Sequence, residues 1–373
     1  MKRIILALTW LFSLVPTVGA TDFDQEVDSL PSADSTIVEE APRKLSLIRR
    51  IIRGFDKMDE RYIEPQHYLF TVMLQTTYTY DYFTLRGRGN YTQSVSFAPD
   101  GTFKVGPYFG WKWVFLGYTF ALNHSNFSKN KTEIDFSLYS NQIGLDLFYR
   151  RTGSDYKVRN ISLGRHIDTS PLEDVHFDGI KAGITGLNVY YIFNHGHFSY
   201  PAAFAQSTCQ KISCGSWMAG IGYTKNTLDI DFDKLQDLAA SRLGSNNVKL
   251  DSTMRFLSLS YHDFTLSLGY GYNWVFAPKW LFASSLMMGI GSQKSVGNST
   301  IDDEDFSIEN LSPHAVGRFG LVYNNTRWYA GFSAIIHSNW YRKSRLSTNN
   351  TFGTMNAYVG YNFGLKKKYR ENK

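Results

Sequence analysis

The chain of 373 residues has a formal net charge of +6, is 16% aromatic, and contains 30 glycines, 10 prolines and 2 cysteines. The modest charge argues against nucleic acid as a partner, and no run of 18 or more apolar residues after the N-terminal segment predicts a transmembrane helix. The abundance of tyrosine, phenylalanine and glycine favours a strand-rich protein that carries aromatic residues on a surface.

Residues 1–20 have the pattern of a secretory signal peptide. Lys2 and Arg3 give a positive start, residues 4–18 are mostly apolar, and Val18-Gly19-Ala20 offers a cleavage site. The alternative is a single membrane anchor, but the apolar run is shorter than the roughly 20 residues needed to cross a bilayer. We therefore expect export with cleavage, and the absence of a cysteine after the site argues against a lipoprotein.

The next two segments differ in composition. Residues 21–42 are acidic and weakly apolar, which predicts a flexible linker. In residues 43–64, apolar residues recur at helical spacing between basic ones, which predicts an amphipathic helix: Leu45, Ile48, Ile52 and Phe55. This helix is expected to pack across one mouth of the following domain, and binding to anionic lipid is the alternative.

From residue 65 to residue 365 the apolar pattern has a period of two, which predicts β-strands. In residues 68–80 one face begins and ends with tyrosine and has Val72 and Leu74 at its centre. Similar alternation recurs in residues 264–274, 328–337 and 355–365. Aromatic residues at both ends of an apolar stripe are typical of lipid-facing strands, so the sequence predicts an all-β fold, an antiparallel outer-membrane β-barrel.

Turn residues and polar stretches divide the strands. Tight turns are predicted at 99–101, 194–197, 277–279 and 324–326, and longer polar connections at 151–183, 226–252, 293–311 and 339–350. Residues 235–243 predict a short helix, and residues 102–122 form either one long strand or a hairpin that turns near Trp111. We expect about twelve strands, with fourteen as the upper count, followed by a basic tail at 366–373.

Several segments resemble the domain-of-unknown-function family 4421 (DUF4421), exported proteins of Bacteroidota. They are Asp59-Glu60-Arg61-Tyr62-Ile63, Gly106-Pro107-Tyr108-Phe109-Gly110-Trp111-Lys112-Trp113, Gly117-Tyr118-Thr119-Phe120, Phe198-Ser199-Tyr200-Pro201-Ala202-Ala203-Phe204, Gln210-Lys211-Ile212-Ser213-Cys214-Gly215-Ser216 and Gly269-Tyr270-Gly271-Tyr272-Asn273-Trp274. The resemblance implies an exported β-barrel-like domain and supplies neither an activity nor a ligand. Cys209 and Cys214 depart from the family pattern.

The two cysteines flank a turn of four residues. Across a hairpin, Cys209 and Cys214 would face each other at disulfide distance, and an exported protein meets oxidising conditions. We therefore predict a disulfide between them. Their spacing does not fit a Cys-x-x-Cys redox motif, and no second cysteine pair exists for a zinc site.

Two His-Ser-Asn stretches, 124–126 and 337–339, superficially resemble the active site of outer-membrane phospholipases. Because Ser directly follows His on an extended strand, the two side chains point to opposite faces, which separates a base from its nucleophile. His195-Gly196-His197 is better explained as a turn than as a metal site. The acidic run 302–305 lacks the spacing of an EF-hand and is expected to be a solvated loop. The sequence thus predicts no catalytic, cofactor-binding or metal-binding residues.

Four charged residues alternate with apolar neighbours and are expected to point into the barrel: Glu133, Asp135, Asp146 and Arg318. A lumen of mixed charge either lines a pore or fills a closed barrel with ion pairs. Three roles remain open: a structural or envelope-related barrel, which we favour, a passive pore or transporter for small solutes, and a membrane-embedded lipid hydrolase. The expected partners are outer-membrane lipid and the barrel-insertion machinery, because Gly360-x-x-Phe363-x-Leu365 is similar to the terminal-strand signal that this machinery reads.

Overall fold

The computed structural model describes residues 58–88, 92–111, 114–118, 120–122, 132–151, 156–164, 167–244, 249–250, 259–295, 311–343 and 346–370. The predicted signal peptide, the acidic linker and residues 43–57 of the predicted helix lie outside these residues. So do the first His-Ser-Asn stretch, 124–126, and the acidic run 302–305.

Strands account for most of the described chain. In chain order they are β1 (Ile63–Pro65), β2 (Tyr68–Arg88), β3 (Thr92–Pro99), β4 (Thr102–Trp111), β5 (Val114–Gly117), β6 (Phe120–Ala121), β7 (Thr132–Tyr139), β8 (Ile143–Arg151), β9 (Tyr156–Ser162), β10 (Val175–His176), β11 (Ile180–Ile192), β12 (Thr208–Gln210), β13 (Cys214–Ile230), β14 (Leu259–Ala277), β15 (Trp280–Ser295), β16 (Leu311–Asn324), β17 (Trp328–Lys343) and β18 (Leu346–Leu365). Two helices, α1 (Tyr200–Phe204) and α2 (Phe232–Leu243), interrupt them, and 3-10 turns occupy Ser170–Leu172 and Lys367–Tyr369. Neither helix is long and apolar enough to span a membrane.

The strands form one large antiparallel sheet and one small one. The large sheet has the order β10-β9-β3-β2-β18-β17-β16-β15-β14-β13-β11-β8-β7, with β4 joined to the first half of β2 and β5 and β6 joined to β4. Because β3 and β4 pair with successive parts of β2, they are two halves of one broken strand, as are β5 and β6 along β4. With each broken strand counted once, twelve strands of the described residues lie side by side, from β7 to the short strands β5 and β6, and β9 and β10 extend the sheet beyond β3. This agrees with the predicted number.

Contacts across the interior show that the large sheet is curled. Arg318 on β16 forms an ion pair with Asp146 on β8, five strands away. Phe352 on β18 lies 5.3 Å from Phe148 on β8, ring centroid to ring centroid, seven strands away. In a flat sheet with a strand spacing of about 4.8 Å, the second pair would be roughly 34 Å apart. The predicted all-β, barrel-type fold is confirmed.

The predicted alternation is confirmed by exposure. On β14 the outward residues Phe264, Leu266 and Leu268 are 56–71% exposed, whereas the inward residue Asn273 is 1% exposed. On β17, Trp328 is exposed and its neighbour Tyr329 is buried. The period of two therefore separates an apolar outer face from an interior that holds both polar and apolar side chains.

The two ends of the curled sheet differ. At one end, which we call the short-turn end, β2 begins, β18 ends, and compact turns connect β7 to β8, β14 to β15 and β16 to β17. The opposite end, called the loop end, carries the long connections around β9, β10 and α2. The hairpin predicted within residues 102–122 is present, because β4 ends at Trp111 and β5 begins at Val114.

Some predicted boundaries were wrong. Residues 60–62 form a turn and Ile63–Pro65 is a strand, so the end of the predicted 43–64 helix is not helical. Residues 99–101 interrupt a strand instead of reversing the chain, since β3 and β4 both pair with β2. Much of the predicted polar connection 339–350 is strand, because β17 continues to Lys343 and β18 starts at Leu346. The helix predicted at 235–243 is confirmed as α2.

Candidate functional site

Residues 194–213, which form most of the connection from β11 to β13 at the short-turn end, fold into the interior. We call this segment the plug. Its helix α1 begins after Ser199, whose side chain accepts a hydrogen bond from the backbone N–H of Ala202 at 3.2 Å. Such a cap satisfies one of the free N–H groups of a helix start. Tyr200, Ala202 and Ala203 are at most 1% exposed, so the plug is part of the core.

Gln210 is the polar centre of the plug. The two N–H groups of its Nε2 atom are shared among three backbone oxygens, those of His197 (2.7 Å), Ile212 (3.0 Å) and Tyr62 (3.3 Å). Its Oε1 atom accepts from the backbone N–H of Ser199 at 2.8 Å and from Nδ2 of Asn273 at 3.1 Å. Gln210 therefore ties both ends of the plug to the sheet, since Asn273 lies on β14.

The inner surface of the sheet is shaped to receive the plug. A Cβ atom at Gly271 would lie 3.1 Å from Cζ of Phe198, so a larger residue at this position would crowd the plug. Gln206 donates from Nε2 to the hydroxyl of Tyr358 at 2.7 Å, and both residues are buried. The plug is held by directional bonds to side chains of several strands.

Beyond the plug, the centre of the interior holds an ion pair. The Arg318 guanidinium donates to the Asp146 carboxylate, and both residues are at most 4% exposed. The Tyr139 hydroxyl donates to the same carboxylate at 2.8 Å. The guanidinium carbon of Arg318 lies 5.1 Å from the ring centroid of Tyr190 and 6.0 Å from that of Tyr200, which is within cation–π range.

The predicted inward charges are placed as follows. Asp146 and Arg318 lie inside and pair with each other. Asp135 is exposed rather than inside and pairs with the buried Arg150 at 3.0 Å, and the side chain of Glu133 lies outside the described residues. These contacts fit an interior filled with ion pairs, one of the two arrangements that the charges allow.

The loop end is closed by an apolar cluster. It contains 18 buried residues from the ends of β2, β3, β9, β11, β13, β14 and β17 and from the connections between them, with Phe97, Val158 and Leu172 among the most buried. Helix α2 contributes Leu235 and Ala239. Its N-cap Asp231 accepts from the backbone N–H of Lys234 at 3.0 Å, and Gly244 ends it with a φ of +63°. We call this group the loop-end cluster.

A serine, a histidine and an aspartate meet between these two closures. His314 Nε2 lies 2.6 Å from Asp263 Oδ2 and 3.1 Å from Ser312 Oγ, while its Nδ1 lies 2.8 Å from Asn339 Oδ1. In an acyl-transfer triad the acid and the nucleophile bind opposite ring nitrogens. Here both face the same nitrogen, and Ser312 and Asp263 are 0% exposed. The arrangement suits a buried hydrogen-bond network.

A small cavity of about 40 Å³ lies beside this network, lined by Tyr190, His314, Arg318 and His337 among others. His337 is stacked on Phe352 with ring centroids 4.8 Å apart. Ser338 instead bonds Thr351 and Asn349, away from the histidine. The separation predicted for this His-Ser pair is therefore present.

A two-stranded sheet at the short-turn end joins the start of the described chain to the plug. In it, β1 pairs with β12, with Glu64 opposite Cys209. The backbone N–H of Asp59 donates to the carbonyl oxygen of Gly196 in the plug at 2.8 Å. Hydrogen bonds to the Asp59 carboxylate from the Arg61 side chain, and next from the Arg61 backbone N–H, lower the pKa of Asp59 to about 2.

The predicted disulfide is not formed in the structure. Both thiols are free: Cys209 Sγ faces the carbonyl oxygen of Asn324 at 3.7 Å, and Cys214 Sγ lies 3.1 Å from Asn194 Nδ2. The hairpin that would have paired the cysteines does not exist, because β12 pairs with β1 whereas Cys214 opens β13. Burial raises the pKa of the Cys209 thiol to about 12.

His195 and His197 lie in the turn that opens the plug. His195 Nδ1 is 3.2 Å from the Ile192 carbonyl oxygen, and His197 Nδ1 is 3.0 Å from Asn194 Oδ1. Within the described part of the chain, no group of three or more His, Cys, Asp or Glu side chains is arranged to hold a metal.

Residues 57–363 match a family described as a domain of unknown function, DUF4421. The chain belongs to this family. Four of the segments that carry the resemblance meet at the plug: Tyr62 precedes β1, Phe198–Phe204 and Gln210 form the plug, and Gly271 and Asn273 receive it. Four of the segments that resemble the family therefore form the plug and the residues that contact it at the short-turn end.

No curated protein matches the sequence. Among solved structures, the chain is similar to the outer-membrane protease OmpT from Escherichia coli, with 7% identity, coverage of 83% of this chain and 100% of that chain, and a TM-score of 0.31. It is also similar to the deltaS2 mutant of the TodX monoaromatic hydrocarbon channel (8% identity, 79% and 90% coverage, TM-score 0.23). A third is an outer-membrane channel from Pseudomonas putida F1 (8%, 80% and 97%, TM-score 0.25). Similarities at this level carry no argument about activity.

Sequence reasoning missed the plug and the network around His314. The plug has one local signal: a stretch of 21 residues separates β11 from β13 at the end where the other connections are two or three residues long. The network has none, because Asp263, Ser312 and Asn339 come from three strands and meet only when these pair.

Proposed function

We propose that this protein is a structural β-barrel of the bacterial outer membrane with a closed lumen, which neither conducts solutes nor catalyses a reaction. The observation that carries this proposal is the filling of the interior at three levels. The plug occupies the short-turn end, the Arg318–Asp146 pair with its tyrosines occupies the centre, and the loop-end cluster occupies the other end.

Residence in a membrane is supported by the outer face. Ile221, Leu266, Met288 and Ile290 are 60–71% exposed and lie on the neighbouring strands β13, β14 and β15. In water such a continuous apolar surface would favour aggregation, whereas a lipid bilayer covers it. Toward the short-turn end the exposed residues become aromatic, as expected at a membrane interface: Trp217, Tyr272, Trp274, Phe276, Trp280 and Trp328.

The orientation follows from the connections. Outer-membrane barrels have short periplasmic turns and longer extracellular loops. The short-turn end, which also holds the start of β2 and the end of β18, therefore corresponds to the periplasmic side. Outer-membrane lipid is then the partner of the apolar face, and the barrel-insertion machinery is the partner during assembly.

The geometry and burial of the His314 network support a role other than hydrolysis. A nucleophilic serine needs a base that can take its proton and a path for substrate. Ser312 is fully buried, and His314 is committed to oxygen atoms on both ring nitrogens. This network joins β14, β16 and β17 and stabilises the sheet.

The test combines fractionation with conductance. We expect the full chain in the outer-membrane fraction, with a faster gel mobility before boiling than after it. Reconstituted into planar bilayers, it should give no single-channel steps, whereas an open porin in parallel should conduct. Reproducible steps would assign the protein to the passive pores, and recovery as a soluble periplasmic protein without a mobility shift would contradict the membrane location.

A further inference from the structure

A groove of about 900 Å³ crosses the outer face near the short-turn end. It is lined by side chains from β2, β4, β17 and β18, including Val72, Leu74, Phe109, Trp328, Val359 and Tyr361. Its lining is mainly apolar, and the residues lie on neighbouring strands, since Tyr361 pairs with Val72 and with Trp328. The groove is continuous with the apolar face that the proposed function assigns to lipid.

A cation stands at one end of this groove. Arg327 lies in the turn between β16 and β17 and is exposed. Its Nε and Nη2 atoms donate to the Tyr361 hydroxyl at 3.1 and 2.8 Å, and its guanidinium carbon lies 5.5 Å from the centroid of the Tyr361 ring. These contacts hold the guanidinium against the groove and leave Nη1 without a bond to any described residue.

The turn that carries Arg327 is itself fixed. Asn325 Oδ1 accepts from the backbone N–H groups of Arg327 and Trp328 at 3.1 and 2.7 Å. The backbone N–H of Asn362 donates to the Arg327 carbonyl oxygen at 2.7 Å. A side chain on a fixed turn loses less conformational freedom when it binds a ligand.

The charge of Arg327 is available to a ligand. No carboxylate of the described residues lies within ion-pair distance of it, whereas Arg61 pairs with Asp59 and Lys368 with Glu60 at the same end. A guanidinium is well suited to bind phosphate, because it presents several donors in one plane. An aromatic pair, Trp328 and Tyr361 with ring centroids 4.6 Å apart, marks the interface depth at which lipid headgroups lie.

We infer that the groove binds one phospholipid of the membrane leaflet at the short-turn end, with its phosphate on Arg327 and an acyl chain along Val72, Leu74 and Val359. This inference rests on the proposed membrane location. The apolar lining alone would accept any acyl chain, but the cation at its end selects a lipid whose phosphate sits at the interface. The occupant is therefore a glycerophospholipid.

Native mass spectrometry of the delipidated full-length protein in detergent tests this site. Palmitoyl-oleoyl-phosphatidylglycerol is the probe. We expect one molecule to bind about tenfold more tightly than any further one. Arg327→Gln should weaken this binding about five- to tenfold, and Leu74→Trp, which fills the groove, should abolish the preference for one lipid.

Two matched variants serve as controls. Lys279→Gln removes an exposed cation from another turn at the same end, and Leu268→Trp adds the same bulk to the outer face away from the groove. Both should bind like the parent protein. Heat-modifiable mobility is checked for every variant, so that a failure to fold is separated from a loss of lipid.

Three results would overturn the inference: equal weakening in the controls, displacement of the lipid by millimolar glycerol phosphate, or a dimer whose interface excludes lipid. Displacement would assign Arg327 to a soluble phosphate ester, and a dimer would assign the groove to a second copy of the chain. If the protein instead fails to insert into vesicles of the same lipid, the proposed membrane location fails, and that outcome is distinct from loss of the single site.

Discussion

The two closures of the interior differ in chemistry. The plug is held by hydrogen bonds from Gln210, Ser199 and Gln206 and adjoins the Arg318–Asp146 pair. The loop-end cluster consists mainly of aliphatic and aromatic side chains. Bonds between polar groups are directional, whereas apolar contacts depend on buried area and shape.

This difference separates two ways of filling a barrel. An apolar cluster tolerates exchange between side chains of similar volume, but it suffers when volume is removed. A polar network has the opposite sensitivity, because the loss of one partner leaves another buried group unsatisfied. Substitutions at the two ends should therefore differ in how much stability they remove and in whether a second substitution restores it.

The largest effect is expected at the ion pair. Asp146→Ala leaves the Arg318 cation buried without its carboxylate, which should reduce the free energy of unfolding by roughly 3–5 kcal/mol. The double variant Asp146→Leu/Arg318→Met removes both charges and should recover most of this loss. Urea titration of the heat-modifiable gel band in detergent micelles measures both. A double variant as unstable as the single one would mean that packing, not charge, dominates at the centre.

Removal of volume tests the loop-end cluster. Phe97 is 0% exposed and lies 5.5 Å from Phe177, ring centroid to ring centroid. Phe97→Ala should reduce the free energy of unfolding by about 3 kcal/mol, whereas Phe97→Leu should cost roughly half as much. The control is Phe264→Ala on the outer face, where the side chain is 62% exposed. Equal losses of unfolding free energy at Phe97 and Phe264 would mean that the loop-end cluster stabilises the protein no more than the exposed outer face does.

A smaller effect is expected in the plug. Gln210→Leu keeps the approximate volume but removes the hydrogen bonds to Ser199 and Asn273, which should cost about 1–3 kcal/mol. Gln142→Leu, at a turn of the same end where the side chain bonds, among the described residues, only the Tyr191 hydroxyl, is the matched control. The same urea titration applies. If Gln210→Leu and Gln142→Leu unfold at the same urea concentration, Gln210 does not hold the plug.

The smallest effect concerns pH at the short-turn end. The pKa of Asp59 is about 2 in the folded protein, below the roughly 3.9 of an unfolded chain. The contact with Arg61 therefore adds stability above about pH 4, which is lost as the pH falls toward 2. Nuclear magnetic resonance of the Asp59 carboxyl should show this low midpoint, and Arg61→Gln, which removes the guanidinium but keeps the backbone N–H bond to Asp59, should raise it toward the ordinary range. An unchanged midpoint in that variant would contradict the assignment.

Alternation in the sequence determined much of the fold. A residue two positions along a strand lies on the same face, so the exposed Phe264, Leu266 and Leu268 and the buried Asn273 are already distinguished by their spacing. The turns at 277–279 and 324–326 follow from local residue types in the same way. The segments shared with the family likewise pointed to an exported barrel. All of these signals are local.

Only the tertiary structure decided what fills the interior. Asp146 and Arg318 are 172 residues apart, and whether inward charges line a pore or pair with each other depends on which strands curl together. The predicted disulfide failed for the same reason, because the partner of β12 is β1, more than 140 residues earlier in the chain. Periodicity assigns a residue to a face, but the partner across the interior is set by sheet order, curvature and the path of the plug.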